Sequence, residues 1–206
     1  MRVPELPEVE SARAVIDKAA LGRVIADVDD SDSYECRPHR PGEIRAAILG
    51  RTLTAVHRQG KSIWCETSGV TPADPPGPVL GLHLGMSGKI VIADGQGTEI
   101  DGGDYWARGR TAADGRFARF SLAFADGGSL LLVDPRRLGR VRLNPPVERL
   151  GPDAQQISAA QFRANGSINR RQARASRPSV CPVTAKSRSS STAVPSSNGC
   201  ASADGE

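Results

Sequence analysis

The sequence is poor in aromatic side chains and has no long apolar run. Aromatic residues make up 4% of its 206 residues, and only two Met and four Cys occur. No segment approaches the roughly 20 consecutive apolar residues that a membrane-spanning helix needs. Glu5, Glu8 and Glu10 stand where a secretory signal would need its apolar stretch. These absences argue against a membrane or secreted protein, and we expect a cytoplasmic one.

The chain has no excess of positive charge over most of its length. Residues 1–163 hold 21 basic and 21 acidic side chains, so the net charge of +4 belongs entirely to residues 164–206. That segment contains no Leu, Met, Phe, Tyr or Trp, and ten of its residues are Ser. Ordering a backbone costs about 1–2 kcal/mol per residue, which so few apolar side chains cannot offset. We therefore predict a disordered Ser/Arg-rich tail over 164–206.

The cysteines are few and widely spaced. Cys36 and Cys65 each stand alone, whereas Cys181 and Cys200 lie in the predicted tail with no His nearby. Zinc sites usually have four ligands, with close pairs of the Cys-x2-Cys kind. The spacing favours ordinary reduced thiols, and we expect no metal or other cofactor in this chain.

Two helices are predicted near the N-terminus. Pro7 suits the first turn of a helix, and Gly22 ends its pattern. The apolar face of this helix consists of Val9, Ala12, Ile16 and Ala19. A second, short helix is predicted over residues 42–49.

The remainder of residues 1–150 has the pattern of short strands separated by turn signals. The predicted strands cover residues 23–28, 52–57, 62–66, 79–84, 89–93, 116–124, 129–133 and 140–143. The Pro-rich segment 71–78 and the Gly-rich segment 94–115 are interpreted as insertions between strands. The pattern predicts a mainly β, α+β fold, namely a two-layer antiparallel sandwich or barrel with an N-terminal amphipathic helix.

Two predicted turns carry side chains that a fold alone does not require. Met86 stands among glycines in the segment His83–Gly88, where a Met either folds back onto the core or stays exposed for binding. Arg136, Arg137 and Arg140 crowd the turn that begins at Asp134. Arginines at this density commonly mark phosphate or nucleic-acid recognition, although a solvated polar face gives the same pattern.

The start of the chain is also unusual, since Pro4–Glu8 reads Pro-Glu-Leu-Pro-Glu. Helix initiation explains Pro7 and Glu8, but it does not explain Pro4 and Glu5. Lys61 lies in a predicted hairpin turn and does not by itself indicate a function.

Together and in this order, the motifs resemble those of the formamidopyrimidine-DNA glycosylase family and its endonuclease VIII-like relatives. The matching segments are Pro4–Glu10, Gly60–Ser62, His83–Gly88 and Asp134–Gly139, and the likeness extends to about residue 163. The resemblance implies a DNA glycosylase and AP lyase that excises oxidised bases from damaged double-stranded DNA in base excision repair. It also implies a monomer in a bacterial-type cytoplasm, associated with the nucleoid.

The resemblance implies catalytic roles for three residues. Pro4, as the N-terminal residue, would attack C1′ of the damaged nucleotide through its secondary amine, displace the base and leave an iminium. Glu5 would be the general acid that opens the sugar ring. Lys61 would contact the backbone phosphate and assist proton transfer during strand cleavage.

The resemblance also implies DNA contacts. Met86, Arg136 and Leu138 match the side chains that fill the space left by the extruded base. The family usually has Phe where this sequence has Leu138, and Leu stacks less well on bases. Arg119 is predicted to face the same groove and to contact a phosphate.

Two features depart from the family pattern. Pro4 follows Val3, and a proline within a chain is a tertiary amide without a nucleophilic nitrogen. Initiation at Val3, which a GTG codon would encode, followed by removal of the initiator Met, would free it. The family's helix-two-turn-helix domain and four-cysteine zinc finger are not matched. The resemblance therefore implies a catalytic-type domain over 1–150 and the start of an interrupted helical domain over 151–163.

Other functions fit the same residues. The chain could be a non-catalytic fragment that binds damaged DNA, or an inactive truncated remnant of such an enzyme. It could also be a β-sandwich interaction domain whose arginines bind a different anionic partner.

Overall fold

The computed structural model describes residues 5–103, 115–153, 157–161 and 163. The chain divides into two compact units, residues 1–157 and residues 158–206. In the second unit the described residues form a helical turn, in which Gln161 N donates to Ser158 Oγ at 3.2 Å. The predicted tail over 164–206 lies outside the described residues.

The first unit is a two-layer antiparallel sandwich with an N-terminal helix, as predicted. Its described α-helices are α1 (Leu6–Ala19) and α2 (Glu43–Ile48), and a short 3-10 helix covers Val147–Arg149. Its described strands are β1 (Ile25–Asp29), β2 (Leu53–Gln59), β3 (Ser62–Thr67), β4 (Leu80–His83), β5 (Lys89–Ala93), β6 (Glu99–Gly103), β7 (Ala118–Phe124), β8 (Ser129–Val133) and β9 (Arg140–Leu143). Among these residues no helix is long and apolar enough to cross a membrane.

The strands form two sheets that enclose one core. The first sheet has the order β1-β7-β8-β5-β6, and the second has the order β2-β3-β4-β9. Side chains alternate between the two faces of a strand, so Ile63 and Cys65 of β3 are buried in the core while Trp64 faces outward. The outer face of the second sheet is therefore available for other contacts.

Helix α1 packs one apolar face onto the sandwich. Its first turn is stabilised by Glu8, whose Oε2 accepts a hydrogen bond from Glu5 N at 3.1 Å. Val9, Ala12 and Ile16 are buried. The helix pattern read from the sequence is thus confirmed, with the helix ending at Ala19 rather than at Gly22.

The interpretation of segment 94–115 as an insertion is wrong in part, because Glu99–Gly103 forms β6 and pairs with β5. Gly102 and Gly103 of β6 have no side chains, so the sequence does not show the alternation that is typical of a strand. The close packing of α1 nevertheless requires a glycine at position 102. A Cβ on Gly102 would lie 2.5 Å from Ser11 O of α1. All eight predicted strands are present, with ends shifted by at most two residues. Residues 104–114 lie outside the described residues.

Candidate functional site

Two turns lie against each other, one between β4 and β5 and the other between β8 and β9. We call Gly85–Gly88 and Asp134–Gly139 the paired turns. A Cβ on Gly85, which has a φ of +60°, would lie 2.5 Å from the carbonyl carbon of Leu138, so the two backbones touch. Met86 is 39% exposed and Leu138 is 41% exposed. Met86 therefore does not fold back onto the core, and two apolar side chains project from adjoining turns.

Asp134 holds both paired turns, and its side chain is fully buried. Its Oδ1 accepts hydrogen bonds from Ser87 Oγ at 2.7 Å and from Arg136 N at 3.0 Å. Its Oδ2 accepts hydrogen bonds from Leu138 N and Gly139 N, both at 2.8 Å. One carboxylate thus fixes the backbone that carries Leu138 and Arg136, and it also anchors the turn that carries Met86.

Two arginines form hydrogen bonds that hold the turn between β8 and β9 in place. Arg137 has a φ of 56°, and its Nε donates to Asp32 Oδ2 at 2.9 Å. Arg119 Nε donates to the backbone oxygen of Asp134 at 3.0 Å, and the Arg119 side chain is 19% exposed. Arg119 therefore supports the turn, while its contact with a DNA phosphate stays a prediction.

Lys61 is exposed in the two-residue turn between β2 and β3. Gly60 precedes it with a φ of +58°, the sign that a tight hairpin needs at its first central position. Gly60 N donates to Asp153 Oδ2 at 2.8 Å. A carboxylate from a distant part of the chain thus fixes the turn that presents Lys61.

Arg58 connects the Lys61 turn to helix α1. Its Nε donates to Glu10 Oε2 and its Nη1 donates to Asp153 Oδ2, both at 2.6 Å. The Arg58 and Asp153 side chains are only 4% and 2% exposed. This buried network sets the position of α1 relative to Lys61. Glu5 lies exposed at the start of the same helix, and Pro4 lies outside the described residues.

His83 lies at the end of β4, where Ser62 is its partner on β3. Burial, together with the nearby charges of Lys61 and Arg142, lowers the pKa of His83 below its ordinary value. Its Nδ1 accepts a hydrogen bond from Gly85 N at 3.0 Å, so the neutral ring carries its proton on Nε2. His83 is thus a neutral donor beside two cations.

A cleft of about 440 Å³ lies on the outer face of the second sheet, next to Leu138. Gly81 lies on the floor of the cleft, where there is no room for a side chain. A Cβ at this position would lie 2.7 Å from Pro145 Cγ. The lining residues combine cationic and apolar side chains: Ser62, Ile63, Trp64, Gly81, Leu82, His83, Leu138, Arg140, Arg142, Pro145, Pro146, Val147 and Leu150. None of the described residues that line the cleft is acidic, which suits an anionic ligand.

A second buried carboxyl lies beside Asp134. Glu35 is fully buried, and neither of its carboxyl oxygens has a hydrogen-bond partner among the described residues. A Cβ on Gly139 would lie 2.7 Å from Glu35 Oε2 and 3.3 Å from Asp134 Oδ2, so both carboxyls flank the same glycine. Burial first, and then the negative charge of Asp134, raise the pKa of Glu35 to about 8.

The cysteines do not form a site among the described residues. Cys36 and Cys65 are free and buried, and burial raises the pKa of each thiol to about 12. Protonated thiols are poor nucleophiles and poor metal ligands. The described part of the chain also has no group of three or more His, Cys, Asp or Glu side chains that could hold a metal ion. These residues do not fit a zinc site.

Sequence reasoning missed the residues that support the site. Asp134 stands in a recognised motif, but the arginines that follow it drew the functional interpretation. An Asp directly before a Pro is a turn signal in the sequence and could have indicated the capping role of Asp134. Glu35 and Asp153 have no local signal, since their partners are remote in the sequence.

Comparisons with known proteins agree with this arrangement. Residues 3–141 match the family model of the formamidopyrimidine-DNA glycosylase N-terminal domain. A formamidopyrimidine-DNA glycosylase from Arabidopsis thaliana is 32% identical over 164 residues, which is 74% of this chain and 38% of that protein. One from Parafrankia sp. is 31% identical over 175 residues, which is 82% of this chain and 57% of that protein. The chain thus spans about half the length of such relatives.

Solved structures share the fold. A crystal structure of Lactococcus lactis Fpg (MutM) with DNA that contains N7-benzyl-Fapy-dG has a TM-score of 0.51 and 23% identity, over 80% of this chain and 48% of that chain. The complex of the same protein with abasic-site DNA has a TM-score of 0.51 and 22% identity, over 80% and 47% of the two chains. At these identities the likeness concerns the fold, and the family follows from the sequence matches. The chain belongs to the formamidopyrimidine-DNA glycosylase family.

Proposed function

We propose that this chain provides the catalytic half of a DNA glycosylase with AP lyase activity, which removes oxidised bases in base excision repair. One observation carries the proposal: Met86 and Leu138 project from the paired turns, which Asp134 holds rigid. Apolar side chains on rigid exposed turns suit insertion between stacked bases. The proposed partner is damaged double-stranded DNA, bound by one copy of the chain at nucleoid DNA in the cytoplasm.

Extrusion of the damaged nucleotide from the stack costs a few kcal/mol. Met86 and Leu138 can fill the vacated space, where burial of their remaining exposed surface offsets part of that cost. Arg136, on the same turn, adds a planar cation that can bind the unpaired opposite base. The paired turns thus support recognition of a nucleotide that is already weakly stacked or damaged.

The proposed covalent step uses Pro4 as nucleophile. Its free secondary amine forms a bond to C1′ while the bond from C1′ to the base breaks, and the base leaves with a proton. Glu5 donates a proton to the ring oxygen as the sugar opens to the iminium. Removal of a C2′ proton, assisted by Lys61, then breaks the bond from C3′ to the phosphate oxygen. Water releases the sugar and restores the amine.

Charge at the outer face of the second sheet fits a phosphate backbone. Arg140 and Arg142 line the cleft and offer positive charge, and His83 offers a neutral Nε2–H donor. The charge of Lys61 lies close enough to act on His83. Each phosphate that such groups neutralise releases counterions, so binding should weaken steeply as salt rises. This attraction does not depend on the DNA sequence and positions the DNA strand, while the paired turns contact the bases.

Borohydride trapping tests the proposal. A chain that begins at Pro4 is mixed with a duplex that contains one abasic site, and sodium borohydride reduces any iminium to a stable adduct. The proposal expects an adduct of one chain per strand. Salt-sensitive binding without an adduct would support a non-catalytic DNA-binding fragment instead, and no binding to any duplex would support an inactive remnant.

Truncation of the projecting side chains should weaken extrusion. We expect Met86→Ala and Leu138→Ala each to lower affinity for an abasic-site duplex about tenfold, since each removes part of the apolar filling. Val70→Ala is the matched control, because Val70 is 60% exposed on a different loop. Leu138→Phe should bind at least as tightly as the natural chain. Equal affinities for all four variants, measured by fluorescence anisotropy, would remove the wedge role.

A further inference from the structure

We infer that the Asp134 carboxylate positions the paired turns beside a neutral Glu35, and that ionisation of Glu35 loosens the turns. Both residues act through the turns rather than on the substrate, so they are positioning residues. The consequence for DNA rests on the proposed function, whereas the effect on the turns is independent of it.

The contacts of Asp134 suit a carboxylate. Three backbone N–H groups and the Ser87 hydroxyl donate to its two oxygens. An ionised carboxylate is an acceptor with about four lone-pair sites, so these donors use its full capacity. A protonated Asp134 would lose part of this set. The shape of both paired turns therefore depends on one buried negative charge.

Glu35 is suited to remain neutral beside that charge. It is fully buried, its oxygens have no hydrogen-bond partner among the described residues, and its Oε2 approaches Gly139. Within the described part of the chain, the titratable groups that face it are Asp134 from the turn, and Asp32 and Cys36 from its own loop. Two arginines nearby are bound to other groups, since Arg137 pairs with Asp32 and Arg119 donates to the Asp134 carbonyl.

Ionisation adds a second negative charge beside Asp134, and the two nearby arginines among the described residues are already bound to other groups. The pKa of Glu35 is raised from an ordinary 4.5 to about 8, so the folded chain holds this proton over a range in which the unfolded chain has lost it. Stability therefore falls as pH rises from about 4.5 to about 8, and it levels off above that. Above pH 8 the two like charges repel across Gly139, and the hydrogen bonds of Leu138 and Gly139 to Asp134 weaken.

The first test follows wedge insertion in DNA. The probe is a duplex with a tetrahydrofuran abasic analogue opposite 2-aminopurine, whose fluorescence rises when the stack opens. For the natural chain we expect the insertion constant to fall up to about tenfold per pH unit above a midpoint near pH 8. Glu35→Gln cannot ionise and should give a flat profile. Glu66→Gln changes an exposed glutamate of β3 and should reproduce the natural profile.

The second test needs no DNA, so it separates failure of the inference from failure of the proposed function. Amide hydrogen exchange of segment 134–139 is measured by mass spectrometry and corrected for the intrinsic pH dependence of exchange. Protection should fall above pH 8 in the natural chain and in Glu66→Gln, but not in Glu35→Gln. A profile of the natural chain without this break would overturn the inference, whatever the variants do. The same break in Glu35→Gln would overturn it as well.

Discussion

A chain that begins at Pro4 should form a borohydride-stable adduct with abasic-site DNA, and the same chain preceded by Met1, Arg2 and Val3 should form none. The difference arises at a single atom, because the nitrogen of an internal proline is an amide whose lone pair is delocalised. A free α-amino group, with an ordinary pKa near 8, has an appreciable neutral fraction at cellular pH. We expect at least about a thousandfold difference in trapping rate, since a covalent step is lost rather than weakened.

The matched control for this prediction is chemical. Acetylation confined to the Pro4 nitrogen, with unmodified lysines verified by mass spectrometry, blocks the nitrogen while it leaves the side chains unchanged, and it should abolish the adduct. Binding of the abasic duplex, measured by anisotropy, should differ much less among the three forms. An adduct of full yield from the chain that retains Met1–Val3 would disprove Pro4 as the nucleophile.

The largest effect on stability is expected for Arg58→Met. The substitution leaves the carboxylate of Asp153, 2% exposed, without the arginine that compensates its charge. Removal of one partner from a buried ion pair typically costs about 3–5 kcal/mol. We expect a loss of this size in the free energy of unfolding, measured by urea denaturation with circular dichroism.

Two further variants define the cause of that loss. Arg45→Met breaks an exposed pair between Arg45 and Asp27, whose side chains are 49% and 61% exposed, and should cost far less stability than Arg58→Met because solvent screens the charges. Asp153→Asn added to Arg58→Met should restore part of the stability, because it removes the buried charge. If Arg58→Met and Arg45→Met cost the same, the buried network does not support the fold as argued.

The sandwich could be predicted because turn signals separate short segments rich in apolar residues. Strand β9 also alternates, since Val141 is buried whereas Arg142 is exposed. Strand β6 could not be predicted, because its glycines carry no side chain to alternate. Their role depends on how closely helix α1 approaches, which only the folded structure shows.

The candidate site, too, could be predicted from the sequence only in part. Met86 and Leu138 were identified from motifs, and their exposure agrees with that interpretation. The supports beneath them could not be found, because the bonds of Asp134 to Ser87, and of Arg58 to Asp153, join residues that only the fold brings together. The position of Pro4 stays a prediction, since it lies outside the described residues. The likeness of the motifs indicated the family, and the matches to known proteins confirm it.

The bond between Ser87 and Asp134 also bears on how the protein is made. The two residues are 47 positions apart, so the ribosome releases the first turn well before its anchor exists. During that interval the nascent chain has β4 and β5 but not the carboxylate that fixes the backbone between them. The paired turns therefore reach their final shape only after Asp134 is synthesised, and a polypeptide that stops before residue 134 would carry Met86 on a loop without this anchor.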